Sequence, residues 1–445
     1  MKTFCVSLVV LMTGLVVAST AMAGPRIEHW QTSNGARVYF VAAPEIPMLD
    51  LRVVFAAGSA RDGAHAGLAS FTNGLLNEGA GELDANGFSE QLSATGAIMG
   101  LGAERDMAYA SLRTLADGAP AQRALALFVS ALATPRFDAA AVARDKARTL
   151  VGLKHKEQSP AALSEDVFYA TVYPKHPYGS PPDGTPASVS ALTREDIHAF
   201  HKQYYVARNA VIAIVDALDR RRATALAEQL SVALPAGERA PALAPVETPV
   251  AQQKHVEFPS IQSHVMLGMP GISRGDPDYF SLLVGNHALG GNGLVSLLFE
   301  EVRNKRGLSY GVSSYFIAMA QAGPFIAQLQ TDRRQQDQAL TVLRDTIRQF
   351  IEHGPPAASF ESARQNLIDS FPLRVASNHQ IAEYLAMIGF YDLPLDYLET
   401  FTTKVAAVTP VMVKDAFARR VPFAGLTTVV VGRAANDNKD AATAQ

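Results

Sequence analysis

The chain has 445 residues, of which 48% are hydrophobic and 18% are charged, an ordinary composition for a globular protein with two or more domains. Its formal net charge of -3 gives no general attraction for polyanions, and no basic cluster is interleaved with aromatic residues, so nucleic acid is not an expected partner. The single cysteine, Cys5, lies in an apolar N-terminal stretch. The rest of the chain therefore has no disulfide, cysteine nucleophile or thiolate metal ligand.

Residues 1–23 have the pattern of a secretory signal peptide. Lys2 gives the positive start, the apolar run FCVSLVVLMTGLVVA follows, and AMA at 21–23 is a small-x-small cleavage site. We therefore expect cleavage before Gly24 and export of the mature chain. The alternative is an N-terminal membrane anchor, for which the apolar run is short, and no later segment resembles a membrane span.

Two halves of the chain show the same order of segments. Each contains an apolar strand, LDLRVVF (49–55) and HVMLGMPG (264–271), that leads through a turn into an apolar helical run. Each ends with a helix and a second apolar strand, NAVIAIVDA (209–217) and GLTTVVVGRA (425–434). This internal repeat predicts two homologous domains.

Composition and pattern set the expected boundaries and fold class. Proline, alanine and charged residues without apolar periodicity fill residues 234–251, which predicts a linker between an N-terminal domain, residues 24–233, and a C-terminal domain, residues 252–435. The polar residues 436–445 are expected to form a disordered tail. Because the strands alternate and the helices come in consecutive groups, we predict an α+β fold, with a mostly antiparallel sheet covered by helices on one face in each domain.

The segment GLASFTNGLLNEG (67–79) is a helical run flanked by glycines. It resembles the Gly-Leu-Ala-His-x-x-Glu-His signature of the pitrilysin or insulinase family of zinc metallopeptidases, which includes the mitochondrial processing peptidases and two-domain bacterial relatives. Three further stretches resemble the family in the same order: YPKHPYG (173–179), LTREDIHAFHKQYY (192–205) and LGGNGLVSLLFEEVRNKRGLSYGVSSY (289–315). The resemblance covers nearly all of residues 27–434 and implies two homologous domains arranged as a clamshell.

The zinc positions of the family are changed in this chain. The resemblance places Ser70 and Gly74 where the family has two zinc-binding histidines, and Asn73 where it has the glutamate that acts as general base. Histidines four residues apart on a helix share one face and can hold a metal ion, whereas serine and glycine are not normal zinc ligands. The family's third ligand, a glutamate, would fall at Val151 or Gly152. We therefore predict that this chain binds no metal and does not hydrolyse peptides alone.

The second half keeps two residues that the family uses. An arginine and a tyrosine seven residues apart face the zinc across the substrate cavity in the family, and Arg303 and Tyr310 have this spacing. The resemblance implies that they hydrogen-bond a peptide carbonyl and stabilise the oxyanion formed on attack. Without the resemblance, an arginine in the last turn of a helix is explained by the helix dipole. The pattern also predicts a stripe of Leu294, Leu298 and Val302 on that helix.

A possible replacement metal site lies in the segment LTREDIHAFHKQYY. His198 and His201 are close in sequence, but Thr193 and Asp196 form a capping-box pattern at the start of the same helix. We expect both histidines on the solvent side of this helix and outside any metal site.

Two glycine-containing motifs have alternative explanations. The segment GISRG (271–275) matches the G-x-S-x-G pattern of serine hydrolases, with Ser273 as the candidate nucleophile, but Asp276 and Pro277 are typical of a helix start and would leave the serine outside the helix. The segment LGGNG (289–293) permits close approach of a backbone, either that of the protein itself or that of a bound peptide.

The resemblance implies a division of labour between two chains. This chain would be the zinc-free subunit of a periplasmic heterodimeric endopeptidase, and the partner, a zinc-bearing subunit of the same family, would bind the metal. Arg303 and Tyr310 would complete the partner's active site around an unfolded peptide. The alternative is a non-enzymatic scaffold or peptide-binding protein that keeps the peptidase fold.

Overall fold

A computed structural model of the chain describes residues 25–217 and 219–433. The expected signal peptide, residues 1–23, and the expected tail, residues 436–445, lie outside the described residues. In the described part of the chain, no helix is both long enough and apolar enough to cross a membrane.

The first half of the chain is a mixture of strands and helices. Its strands are β1 (Glu28–Gln31), β2 (Arg37–Ala42), β3 (Met48–Phe55), β4 (Gly79–Ala80), β5 (Leu83–Asp84), β6 (Ile98–Ala103), β7 (Ala108–Leu115) and β8 (Ala210–Asp216). Its helices are α1 (Leu68–Gly74), α2 (Ala85–Ala94), α3 (Ala119–Ala133), α4 (Ala139–Glu157), α5 (Pro160–Val172), α6 (Pro186–Ala191), α7 (Arg194–Tyr204) and α8 (Arg220–Ala233).

The second half has a similar content. Its strands are β9 (Gln253–Val256), β10 (Gln262–Ile272), β11 (Gly311–Phe316), β12 (Gly323–Asp332) and β13 (Thr427–Val431). Its helices are α9 (Tyr279–Asn286), α10 (Gln336–His353), α11 (Ala357–Arg374), α12 (Asn378–Phe390), α13 (Tyr397–Ala406) and α14 (Pro410–Arg420).

The two main sheets share the order of five strands, and the first has β1 as an additional edge strand. The first sheet has the strand order β1-β2-β8-β3-β7-β6, and the second, written from the same side, has the order β9-β13-β10-β12-β11. In each sheet one neighbouring pair is parallel, β2 with β8 and β9 with β13, and the other pairs are antiparallel. This shared order makes β3 the counterpart of β10, α1 that of α9, and α4 that of α11. The α+β fold class and its two homologous units are thereby confirmed.

Each half's own helices cover one face of its sheet. In the first half, apolar residues of α1, α3, α7 and α8 pack with the sheet residues Phe40, Leu51 and Val53 in one buried cluster. In the second half, α10 and α14 contribute Leu343, Ile347 and Phe417 to the core around β10 and β12. This arrangement agrees with the expected helices on one face.

The opposite faces of the two sheets are covered by an exchange of helices. Helix α5 of the first half packs on β10 and β13, while α12 of the second half packs on β2, β3 and β8. A Cβ atom added to Gly389 of α12 would lie 2.5 Å from the Tyr39 ring, and one added to Gly268 of β10 would lie 2.7 Å from the Phe168 ring of α5. These close approaches bury both faces of each sheet, which the alternation of the strands did not indicate.

The segment between α8 and β9 has no helix or strand, yet it is held against both halves. The N–H of Ala240 donates to Asn209 of the first half at 3.1 Å, and the carbonyl of Leu243 accepts from Gln321 of the second half at 3.0 Å. The proline-rich segment is therefore fixed in place by hydrogen bonds to the two units that it connects.

Candidate functional site

Helices α1 and α4 face each other across a cavity of about 490 Å³, which we call the first cleft. Its lining includes Ser70 and Gly74 of α1 and Gly152 of α4. A Cβ atom added to Gly74 or to Gly152 would have no heavy atom within 4 Å, so both glycines border open space. Val151 is 56% exposed and does not line the cleft, so the structure selects Gly152 between the two positions considered for the third ligand.

Gly74 is the last residue of α1, because the helix spans only Leu68–Gly74. A glycine at the end of a helix lowers the stability of the helix less than a glycine in its interior does, so Gly74 is tolerated at this position. The helix begins after Gly67, which has a φ of 91°, and Asp62 accepts hydrogen bonds from the N–H groups of Gly67 and Ala69 at 2.7 and 2.8 Å. Two backbone donors at the start of α1 are thus satisfied, which fixes the helix against the preceding loop.

Asn73 points away from the first cleft into the core. It is 1% exposed, and its amide donates to the backbone carbonyl of Tyr109 at 3.2 Å and to the hydroxyl of Tyr205 at 3.1 Å. The side chain at the general-base position of the family is therefore a structural connection between α1, β7 and the residue after α7.

The residues of the first cleft do not fit a zinc ion. Its charged lining residues are Asp145 and Arg148, which form an ion pair, and Lys156 and Asp183, which lie 3.4 Å apart. Both carboxylates of the lining are thus engaged by a cation, which disfavours their use as metal ligands. In the described ranges 25–217 and 219–433, no group of three or more His, Cys, Asp or Glu residues could hold a metal.

Arg303 and Tyr310 lie at the two ends of one surface loop. Arg303 belongs to a π-helical segment, Phe299–Asn304, and Tyr310 immediately precedes β11. Both are exposed, Tyr310 to 80%. The Arg303 guanidinium lies 4.7 Å from the centre of the Phe299 ring. Among the described residues, neither side chain has an ion pair or a side-chain hydrogen bond, so both are available to a ligand or to another chain.

The helix before Arg303 is less regular than the predicted stripe. Leu298 and Val302 are fully buried, but Leu294 is 68% exposed because it lies in a 3-10 turn, Gly293–Val295, before the π-helical segment. Because a 3-10 turn and a π-helix differ from an α-helix in residues per turn, a spacing of four residues does not keep Leu294 on the buried side with Leu298 and Val302.

The glycine-rich loop approaches the protein's own backbone. A Cβ atom on Gly290 would lie 2.4 Å from Oγ and 2.5 Å from the backbone nitrogen of Ser314 in β11. Asn286 and Ser314 also exchange two hydrogen bonds, of 2.9 and 2.7 Å. Close packing of this loop on β11 therefore explains Gly290. Of the two interpretations that the sequence left open, approach to the protein's own backbone accounts for this glycine.

One expectation about the histidines of α7 is wrong. His198 is exposed as expected, but His201 is 7% exposed, and its Nε2 donates to the carbonyl of Leu132 at 2.9 Å. Burial lowers the pKa of His201 to about 4, so the ring is neutral near pH 7. The capping box of Thr193 and Asp196 is present. His201 is four residues after the buried Ile197, a spacing that already indicated the core side.

The serine-hydrolase pattern does not form a nucleophile elbow. Helix α9 begins at Tyr279 with Asp278 at its N-cap, two residues later than Asp276, the expected cap. Ser273 lies outside the helix and forms an isolated β-bridge with Met319. The sharp strand-to-helix turn that this chemistry requires is absent at Ser273.

A cavity of about 510 Å³ in the second half was not indicated by the sequence, and we call it the second cleft. It lies between α9, β11 and α11, the counterpart position of the first cleft. Arg274, His287 and Arg374 line it. These residues are up to a hundred positions apart and match no motif, so only the fold brings them together.

Comparison with known proteins gives a consistent result. The family described as "Insulinase (Peptidase family M16)" matches residues 37–185, and "Peptidase M16 inactive domain" matches residues 191–367. An uncharacterized zinc protease of Streptomyces coelicolor is 33% identical over 211 residues, which is 44% of this chain and 44% of that protein, so the match spans less than half of that relative. An uncharacterized zinc protease of Mycobacterium tuberculosis is 28% identical over 304 residues, which is 65% of this chain and 67% of that protein.

Solved structures extend the similarity to nearly the whole chain. The crystal structure of a peptidase M16 inactive domain from Pseudomonas fluorescens has a TM-score of 0.89 and 39% identity, and the match covers 92% of this chain and 98% of that one. A protease from Helicobacter pylori has a TM-score of 0.82 over 92% of this chain and 100% of that one, but only 17% identity, which supports the fold alone.

Proposed function

We propose, since the chain belongs to the insulinase family (peptidase family M16), that it is the zinc-free subunit of a two-chain periplasmic endopeptidase. The observation that carries this proposal is the contrast between two sites. The first cleft lacks metal donors at Ser70, Gly74 and Gly152, whereas Arg303 and Tyr310 are exposed and have no hydrogen-bonding partner in the described residues. An exposed arginine and tyrosine whose polar side-chain groups bond no other group of the described residues are suited to a site completed by another chain.

In this proposal the partner subunit supplies a zinc ion that activates water. Arg303 and Tyr310 act as hydrogen-bond donors to the carbonyl oxygen of the peptide bond that is cleaved. Negative charge develops on this oxygen during attack, and a guanidinium bonds it more strongly than a neutral donor does. Arg303 lies in the π-helical segment at the start of the loop, and Tyr310 lies at its end, next to the edge strand β11.

The edges of both sheets support peptide binding. Strands β6 and β11 are the last strands on equivalent sides of the two sheets. An edge strand has unpaired N–H and C=O groups along one side, to which an extended peptide can add as a further strand. Strand β6 also packs against α1, beside the first cleft.

The direct test is reconstitution with a zinc-bearing family member, ideally one encoded beside this chain. We expect cleavage of an unfolded peptide only by the pair. Arg303→Ala and Tyr310→Phe are each expected to lower kcat/KM about 100-fold, mainly through kcat, because both donors act in the transition state. Arg306→Ala is the matched control, since Arg306 lies in the same loop but pairs with Glu301 at 2.7 Å.

The main alternative is a peptide-binding or scaffold protein without a catalytic role. The poor fit of the first cleft to zinc favours it as well. Unchanged cleavage by the pair with Arg303→Ala and Tyr310→Phe, together with peptide binding by the isolated chain, would decide for this alternative. One zinc per isolated chain in metal analysis would contradict both proposals.

A further inference from the structure

The second cleft is rich in hydrogen-bond donors and has no acidic residue in its lining. Its donors include the guanidinium groups of Arg274 and Arg374, the hydroxyl of Tyr279 and the imidazole of His287. Apolar wall is provided by Leu283, Phe316 and Leu367. An anion with an apolar neighbour is the ligand that such a cavity fits.

Neither arginine is neutralised inside the protein. Within residues 25–217 and 219–433, Arg274 and Arg374 form no ion pair with a carboxylate. Burial raises the pKa of Glu104 in the first half, and Arg274 is among the cations that oppose this rise, but the two groups are not in ion-pair contact. Both side chains are half-buried, and a half-buried guanidinium without a carboxylate partner is suited to a bound anion.

Arg274 also has an unsatisfied donor. Its Nε is buried without a hydrogen-bond partner, and its Nη1 makes only a long contact of 3.4 Å with the hydroxyl of Tyr279. The guanidinium carbon also lies 5.3 Å from the centre of the Tyr391 ring and 5.8 Å from that of the Tyr279 ring, so aromatic rings rather than a carboxylate hold it in place.

The two guanidinium groups line the second cleft from different elements, Arg274 from just after β10 and Arg374 from the C-terminal end of α11. Burial raises the pKa of Tyr384, and the positive charges of Arg374 and Arg274 both oppose this rise, so both lie near its hydroxyl. His287 donates its Nε2 to Asn366 at 2.9 Å, and burial lowers the pKa of the ring, so near pH 7 it adds no charge of its own. The positive potential of the second cleft therefore comes from the two arginines.

We propose that the second cleft binds the carboxylate group of a peptide, with Arg274 and Arg374 as the charged donors. This inference rests on the proposed function, because it takes the ligand to be a peptide. A planar guanidinium matches both oxygens of a carboxylate, and the apolar wall is suited to a neighbouring hydrophobic side chain. Of the two sources of a carboxylate, the C-terminus fits better than an acidic side chain, because the cavity has room for a terminal residue with an apolar side chain.

The test uses fluorescently labelled hexapeptides and the mature chain without a partner. One peptide ends in leucine as the free acid, and the second is its C-terminal amide. A third and a fourth are amides that differ only by an internal Glu or Gln. We expect the free acid to bind at least tenfold more tightly than its amide in fluorescence anisotropy titrations.

Variants on α11 show whether the effect arises in the second cleft. Arg374→Gln is expected to weaken binding of the free acid about 10- to 100-fold and to leave the amide nearly unchanged. Arg374→Lys is expected to recover part of the loss, because it restores the charge without the two-pronged geometry. Arg364→Gln is the control on the same helix, since Arg364 pairs with Glu361 at 2.8 Å. Melting temperatures identify any variant that fails to fold.

Each outcome decides the question. Tighter binding of the Glu peptide than of the Gln peptide, lost in Arg374→Gln, keeps the carboxylate class but assigns it to a side chain. Equal binding of all four peptides, or no binding, overturns the inference. Because Arg303 and Tyr310 are tested by cleavage with a partner, failure of the proposed function would appear there, separately from carboxylate discrimination by the isolated chain.

Discussion

The first and the second cleft occupy equivalent places in an internal repeat but differ in the balance of their charged side chains. In the first, Arg148 and Lys156 are each matched by carboxylates. In the second, Arg274 and Arg374 face a cavity without an acidic residue. The same strand order thus supports one electrically balanced cleft and one with excess positive charge, which shows that the fold fixes where a cleft lies and the side chains fix what it binds.

The largest effect is expected from rebuilding a metal site in the first cleft. Ser70→His, Gly74→His and Gly152→Glu together should give one zinc per chain, because open space surrounds both glycines. Adding Arg148→Gln and Lys156→Gln should tighten zinc binding at least tenfold, since two positive charges are removed. Isothermal titration with zinc measures both steps. The comparison fails if the wild-type chain binds zinc as tightly as the rebuilt one.

A second test concerns the buried amide of α1. Asn73→Ala should lower the free energy of unfolding by about 2 kcal/mol, because the carbonyl of Tyr109 and the hydroxyl of Tyr205 lose their donor. Ser70→Ala on the same helix should change it by less than about 0.5 kcal/mol, since Ser70 faces the cleft. Urea unfolding of both variants provides the measurement. Equal effects would show that Asn73 has no special structural role.

The two halves should respond differently to pH, because the first has a buried histidine where the second has a phenylalanine. His201 of α7 is the counterpart of the buried Phe417 of α14, each eight residues after a capping threonine. Because the folded-state pKa of His201 is lowered to about 4 from 6.5, the stability that depends on its neutral form is full above pH 6.5 and is lost as the pH falls toward 4. At pH 5 this loss amounts to about 2 kcal/mol.

The measurement is the difference between the wild type and His201→Gln in urea unfolding at pH 7.5 and pH 5. A difference is needed because burial raises the pKa of Asp62 to about 7, which stabilises the folded chain as the pH falls and so acts in the opposite direction. The advantage of the wild type should shrink by about 2 kcal/mol at pH 5. His198→Gln should show little of this change, and a constant advantage for His201 would refute the prediction.

The smallest effect is expected at Gly152 alone. Gly152→Ala should raise the free energy of unfolding by about 0.5 to 1 kcal/mol, because alanine favours the helix and its Cβ meets no atom. Thermal unfolding is sensitive enough to detect it. A destabilised variant would mean that the first cleft is occupied or closes in solution.

Much of the fold could be predicted from local pattern. The alternating strands and the repeated order of segments predicted two similar α+β units, and β3 and β13 lie where these strands were expected. The partner of each helix could not be predicted, because the apolar faces of α5 and α12 show that they are buried but not against which sheet.

The candidate site was predicted unevenly for the same reason. The motif predicted correctly that Ser70 and Gly74 lie on one helix. The choice of Gly152 over Val151 depends on which face of α4 is turned toward α1, and only the fold shows that. The prediction for His201 was wrong, because its four-residue spacing from the buried Ile197 indicates the core side of α7 and outweighs its polar side chain. The roles of Arg303 and Tyr310 stay predictions.

The exchange of α5 and α12 has a consequence for biosynthesis. When the ribosome has completed β8, one face of the first sheet is still bare, and the segment that covers it, α12, is among the last to be made. The first half therefore cannot complete its packing until synthesis is nearly finished. Neither half, expressed alone, should become soluble, whereas the two together should associate by trading these helices.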